Sequence, residues 1–170
     1  MTAQDFVLKH LLLAGLVGAV VGGLILAAIR TPSGVHEADP EAWQIEALTL
    51  LASEDRISIR AGHGVGKTTF LAWAVLWFML TRMPFKAPIT ANSQDQLRDV
   101  VWPEMRKWRD RLPEPLREQI VIEAERVWLK GLPESFAVAR TASKDNPEAL
   151  QGFHDENLLF VIEEASGIDD

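Results

Sequence analysis

Three observations predict an α/β fold, with a partly complete, parallel-containing sheet and helices on both of its faces. A strand-like stretch, Arg56-Ile-Ser-Ile-Arg60, runs through a glycine-rich loop into an apolar helical run at 70–80. A second apolar run, Leu158-Leu-Phe-Val-Ile162, is continuous and ends in Glu163-Glu164. Between the two, strand-like segments alternate with amphipathic helical ones, the patterning of a layered domain. The 170 residues are enough for one domain with a real core. A formal net charge of -7 argues against a uniformly basic nucleic-acid coat and leaves room for a local basic face. With no cysteine, disulfides and Cys-based metal sites are excluded. Six Trp beside no Tyr is unusual and points to no chemistry.

The loop is Arg60-Ala-Gly-His-Gly-Val-Gly-Lys-Thr-Thr69. Strand, glycine-rich loop, Lys-Thr and helix, in that order, form the setting of a phosphate-binding P-loop. Gly62, Gly64 and Gly66 bare the backbone so that successive N–H groups, those of His63 and Val65 among them, can curl round an anion. The following helix adds positive potential through the N–H groups of Lys67, Thr68 and Thr69. Lys67 is expected to reach the β- and γ-phosphates of a nucleotide such as ATP, and the Thr68 hydroxyl to take a Mg²⁺ position. Ala61 stands where the first glycine of the pattern usually falls, which requires only ordinary backbone at a strand end. A glycine turn before a buried helix, with Lys67 merely capping something, is the blander alternative. The strand and helix flanking the loop disfavour it.

Residues 11–29 are uncharged and almost wholly apolar, a length that suits a bilayer span. Gly18 and Gly22 form a GxxxG pair, and Gly15, Ala19 and Gly23 recur every fourth residue, as in closely packed membrane helices. The pattern fits a membrane anchor best within an apolar helix at 1–30. A buried helix is the alternative, weakened by its glycines. A signal peptide would export the nucleotide site to where ATP is scarce. Residues 31–39 read as a linker, and 40–170 as the ATPase-like domain.

Asp39-Pro40 reads as a helix start, followed by Trp43, Ala47, Leu48 and Leu51 on one face. Gln44 lies on this helix at the upstream distance where helicase-like ATPases keep a glutamine that reads adenine. The run at 70–80 is apolar on every side and should be buried all round. Lys86-Ala-Pro-Ile-Thr-Ala91 is a second strand. Ser93 and Gln96 form a capping box that opens a helix with Leu97, Val101, Met105, Trp108 and Leu112 on its face, kinked or restarted by Pro103. Arg98, Arg106, Lys107, Arg109 and Arg111 make this the most basic segment, either a solvated face or a phosphate-backbone contact. Gln119-Ile-Val-Ile-Glu123 and Arg126-Val-Trp-Leu129 read as a hairpin, Ser135-Phe-Ala-Val-Ala139 as a further strand, and 141–156 as a polar loop. The run at 158–162 reads as a buried parallel strand whose acids sit at its carboxyl end, where α/β sheets bind ligands. Coming about ninety-five residues after the loop, Glu163-Glu164 is a Walker B candidate.

Together these segments resemble the large terminase subunit of tailed phages. The carriers are Trp43-Gln44, the loop with its flanks, Thr90-Ala-Asn-Ser93 and Trp102-Pro-Glu104. They continue with Asn146-Pro-Glu-Ala-Leu-Gln-Gly-Phe-His154 and Phe160-Val-Ile-Glu-Glu-Ala-Ser-Gly-Ile168. The resemblance covers about 40–170 and leaves the apolar run outside it. It implies a P-loop NTPase of the additional-strand, catalytic-glutamate class with an incomplete sheet. Its function would be ATP hydrolysis that drives packaging of double-stranded DNA in the host cytoplasm. It further implies Glu164 as the catalytic glutamate, Lys67 and Thr68 at phosphate and Mg²⁺, and Glu163 at the metal. Gln44 would lie by adenine. A small terminase subunit, a portal protein and further copies of the chain are the implied partners, with an arginine supplied in trans. Arg60 lies close enough to reach a phosphate; Gln151 and His154 receive no role. Glu163 replaces the usual aspartate and is one methylene longer. The apolar amino-terminal helix and the end of the chain after Walker B also depart from the family, departures that a truncated or decayed phage gene, or an incomplete gene model with a displaced start, would explain. A membrane-tethered helicase-like remodeller and a non-catalytic nucleotide-binding fragment are the alternatives.

Overall fold

Residues 40–91, 93–141 and 152–163 are described by the computed structural model. The apolar run at 11–29, the linker at 31–39, Gln151 and Glu164 lie outside the described residues. Among those described, no helix is long and apolar enough to cross a membrane.

In chain order the elements are helix α1 (Ala42–Leu51), helix α2 (Lys67–Thr81) and strand β1 (Lys86–Ala91). A short helix α3 (Gln94–Gln96) then continues through a π-helical turn (Leu97–Val101) into α4 (Trp102–Arg111). Helix α5 (Glu114–Arg117) and strands β2 (Ile120–Ile122), β3 (Arg126–Leu129), β4 (Leu132–Thr141) and β5 (Val161–Ile162) complete the order. The strands form a five-stranded mixed sheet, ordered β2-β3-β4-β1-β5. β1 runs parallel to both its neighbours, β4 and β5. The β2-β3-β4 half is an antiparallel meander. The hairpin expected between 119–123 and 126–129 is β2-β3, with Ile122 opposite Val127. Gly131, at φ 81, supplies the left-handed position in the β3-β4 turn.

α2 is the centre of the packing. Every residue from Leu71 to Met79 is buried, as an all-apolar helix requires. Its one buried hydroxyl, that of Thr81, donates back to the Trp77 carbonyl at 2.7 Å. Trp73 meets Trp108 of α4 edge-on, with ring centroids 4.8 Å apart, and Phe78 meets Phe85 at 6.2 Å. Fully burying a side chain of this kind contributes about 1.5–3 kcal/mol.

The face predicted for the basic helix, Leu97, Val101, Met105, Trp108 and Leu112, is buried throughout. Ser93 accepts the Gln96 N–H at 3.1 Å and so opens α3. Pro103 has no N–H and crowds the carbonyl one turn earlier, and the chain meets this by widening into the π turn before α4 begins.

Two expectations need correction. Helix α1 begins after Glu41 rather than at Asp39-Pro40: Glu41 is the N-cap and forms a capping box with Gln44. Residues 56–60 form no strand and join no ladder of the sheet. Their alternation does mark a half-buried side, since Ile57 and Ile59 are partly covered while Arg56, Ser58 and Arg60 are exposed. Periodicity orients side chains; it does not supply a neighbour for the backbone.

The run at 158–162 lies parallel to β1, as predicted. Lys86 pairs with Leu158, Ile89 with Val161 and Thr90 with Ile162, one unbroken register. Its ladder proper is only two residues long, and Phe160 and Ile162 are about half exposed, at 46% and 51%. Among the described residues it is an edge strand, not a buried one.

Candidate functional site

The loop at 60–66 carries its glycines where the backbone needs them. Gly64 and Gly66 have φ of 75 and 84, a region that side-chain-bearing residues enter at a cost. A Cβ added at Gly62 or Gly64 would meet nothing within 4 Å, so the loop is open beside both glycines. His63 and Val65 are exposed between them. Gly66 is the N-cap of α2, and no side chain caps that helix end. Its first N–H groups therefore face the loop, with the positive end of the helix dipole behind them.

Lys67 folds back onto the loop. Its Nζ donates to the carbonyls of Ala61 at 2.9 Å and Gly62 at 2.7 Å. Thr68 turns toward the sheet, and its Oγ1 donates to Oε1 of Glu163 at 3.0 Å. That bond joins residues ninety-five positions apart. The register of β5 makes it possible, because the Glu163 N–H donates to the Thr90 carbonyl at 2.8 Å and seats the acid at the end of the strand. The loop, the threonine and the first of the two acids are thus brought together. Glu164 lies outside the described residues. His154 is exposed in the segment before β5.

Gln44 also reaches the loop. It is 4% exposed, and its Nε2 donates to the Gly66 carbonyl at 3.0 Å. Its Oε1 accepts the Glu41 N–H at 2.8 Å, so one amide joins the start of α1 to the cap of α2. The fit is close enough that a Cβ on Gly66 would lie 2.8 Å from Nε2.

Thr69 makes the contact that sequence reasoning missed. Its Oγ1 donates to Oε1 of Glu104 at 2.6 Å, and the same oxygen accepts the Trp108 Nε1–H at 2.6 Å. Burial pushes the Glu104 carboxyl up; the bonds from Thr69 and Trp108 and the charge of Lys107 outweigh it and hold the group below its ordinary value. A glutamate in the first turn of a helix reads as dipole compensation. The available signal was its spacing from Trp108, four residues on, which puts both on one face.

The basic residues of this region have local partners. Arg98 pairs with Asp95 and Asp99, and Arg109 with Asp110. Arg106 donates to the Glu123 carbonyl, and Arg111 lies over Trp108 at 4.4 Å. These contacts occupy the side chains locally, with acids beside Arg98 and Arg109 and neutral partners for Arg106 and Arg111.

Chemically, the loop and helix end offer a cradle for an anion, and Thr68 with Glu163 offers a hydroxyl and a carboxylate side by side. Among the described residues no three His, Cys, Asp or Glu side chains cluster to hold a metal by themselves.

The chain is 25% identical over 134 residues to the probable terminase large subunit of Enterobacteria phage P7. The relation is to a terminase large subunit. The alignment takes in 75% of this chain and 27% of that terminase, so the chain spans about a quarter of its relative's length. No family profile and no solved structure matches the chain. The terminase relation accords with the resemblance carried by the loop and by the segment at 160–168.

Proposed function

We propose that the chain is the nucleotide-binding part of a terminase-type, P-loop ATPase that serves packaging of double-stranded phage DNA. One observation carries this reading: the 3.0 Å bond between Thr68 and Glu163, which pairs the residue after the loop lysine with the acid that ends a parallel strand. A helix cap fortuitously rich in glycine has no reason to recruit that acid.

The donor set fits the proposed ligands. Hydroxyl and carboxylate oxygens suit Mg²⁺, which takes few protein ligands and keeps waters and phosphate oxygens for the rest. The open sides of Gly62 and Gly64 suit a phosphate chain approaching bare backbone. Lys67 would exchange two neutral carbonyls for charged phosphate oxygens, a stronger interaction. When bound, Mg²⁺ neutralises charge developing between the β- and γ-phosphates. Thr68 and Glu163 would hold it from the loop and from the strand, and the extra methylene of Glu163 already spans the distance to the hydroxyl. Glu164 is proposed to orient the attacking water. Gln44 supports the loop through Gly66, and reading adenine would use its second N–H and second lone pair. DNA, a small terminase subunit, a portal protein and further copies of the chain are the proposed partners.

The test is equilibrium titration with a fluorescent ATP analogue in Mg²⁺. Lys67→Ala is expected to weaken binding by about tenfold or more, as loss of a charge-assisted contact does. Affinity within about threefold of the original would overturn the site assignment. ATP turnover in the presence of DNA, abolished by Glu164→Gln, separates hydrolysis from binding alone.

A further inference from the structure

We propose that Glu104 is a positioning residue of this nucleotide site. It grips the first turn of α2 through Thr69 and thereby holds Thr68 where it meets Glu163 and the cation. The inference rests on the nucleotide-site reading above.

Successive residues of a helix point about 100° apart. Thr68 and Thr69 therefore face different sides: Thr68 donates to Glu163 at the sheet edge, and Thr69 to Glu104 on α4. Two carboxylates hold one turn from two directions. The turn needs that restraint, because it starts from Gly66 in a left-handed conformation with no side-chain cap. With Glu104 gone, only Glu163 and the Gln44 bond to the Gly66 carbonyl would hold the turn by polar contact. Released on the Thr69 side, it could rotate about the helix axis and carry the Thr68 hydroxyl with it.

A purely structural tie between α2 and α4 is the competing account. That tie already exists one turn further along, where Trp73 and Trp108 pack edge-on at 4.8 Å. Both rungs advance by four residues on each helix, from Thr69 to Trp73 and from Glu104 to Trp108. The Glu104 side chain is only 19% exposed, and burying a carboxylate costs free energy that an apolar pair would not. The acid is also fixed in direction, since the oxygen that accepts from Thr69 accepts from Trp108 as well. A preset carboxylate aimed at the residue beside Thr68 is what a positioning role requires.

The test uses the full chain and a fluorescent ATP analogue, titrated with Mg²⁺ and with chelator, alongside thermal melting. The readout is how much Mg²⁺ tightens binding. Glu104→Ala is expected to lose about fivefold of that tightening, the scale of one hydrogen bond. Thr69→Val, which exchanges only a hydroxyl for a methyl, should lose as much and carries the test if Glu104→Ala does not fold. Glu104→Gln keeps an acceptor for Thr69 and should stay within about twofold of the original chain. If Glu104→Ala or Thr69→Val folds, binds and tightens like the original, or if Glu104→Gln loses as much as Glu104→Ala, the positioning role is overturned while the nucleotide site stands. Failure of the unmodified chain to bind the analogue would overturn both.

Discussion

Helix α2 is two different objects along its length. From Leu71 to Met79 it is buried on every side and held chiefly by apolar contact. Its first turn is only half-buried and is tied to three other elements by single polar bonds: Gln44 to Gly66, Thr68 to Glu163 and Thr69 to Glu104. The interior tolerates no change of volume, because close-packed atoms have nowhere to go. The first turn is defined by direction, since a hydrogen bond weakens steeply when misaligned. Stability resides in one part of the helix and the proposed chemistry in the other, within a few residues.

The largest effect should come from the interior. Trp73→Ala removes a side chain that is 3% exposed and seated against Trp108, and is expected to cost about 3–5 kcal/mol in urea denaturation. A loss below about 1 kcal/mol would erase the distinction between the two parts. At the boundary, Gly66→Ala forces a left-handed alanine and presses its Cβ against Gln44, so a cost of about 1–2 kcal/mol is expected. Adding Gln44→Ala should relieve the contact but not the backbone strain; full recovery would show that the strain is absent. The smallest effect is in acid. The Glu104 carboxyl is held below its ordinary value of 4.5, so its contribution is present above that pH and is lost as the pH falls through the lower, folded value. Glu104→Gln should therefore lose less stability than the original chain on going from about pH 6 to about pH 3. Equal losses would mean that the carboxylate is not held in its ionised form.

Much of this was legible from the residues. The all-apolar run of α2, the face of α4, β1 and the β2-β3 hairpin follow from patterns that local sequence carries in full. The acid pair at 163–164 means little by itself; its distance from the loop singled it out, and Glu163 does lie at Thr68. Arg56 to Arg60 misled because alternation fixes which side of a chain is covered, and ladder pairing depends on where a distant strand lies. The start of α1 was displaced because Asp39-Pro40 is the stronger local cap signal, whereas Glu41 and Gln44 cap the helix reciprocally. Glu104 escaped because its partners are one turn ahead on its own helix and on another helix altogether.

The π turn at Leu97–Val101 ties the number of residues in this segment to the phase of the helix in a way that substitution would not reveal. A π turn absorbs one residue more than an α turn, so it acts as a length change folded silently into a helix. Deleting one residue as the turn closes to a regular α-helix would leave the two ends in phase, whereas closing it with every residue kept would turn everything before it by about 100° relative to everything after. Leu97 and Val101 could then keep their places in the core, or Glu104 its place on Thr69, but not both.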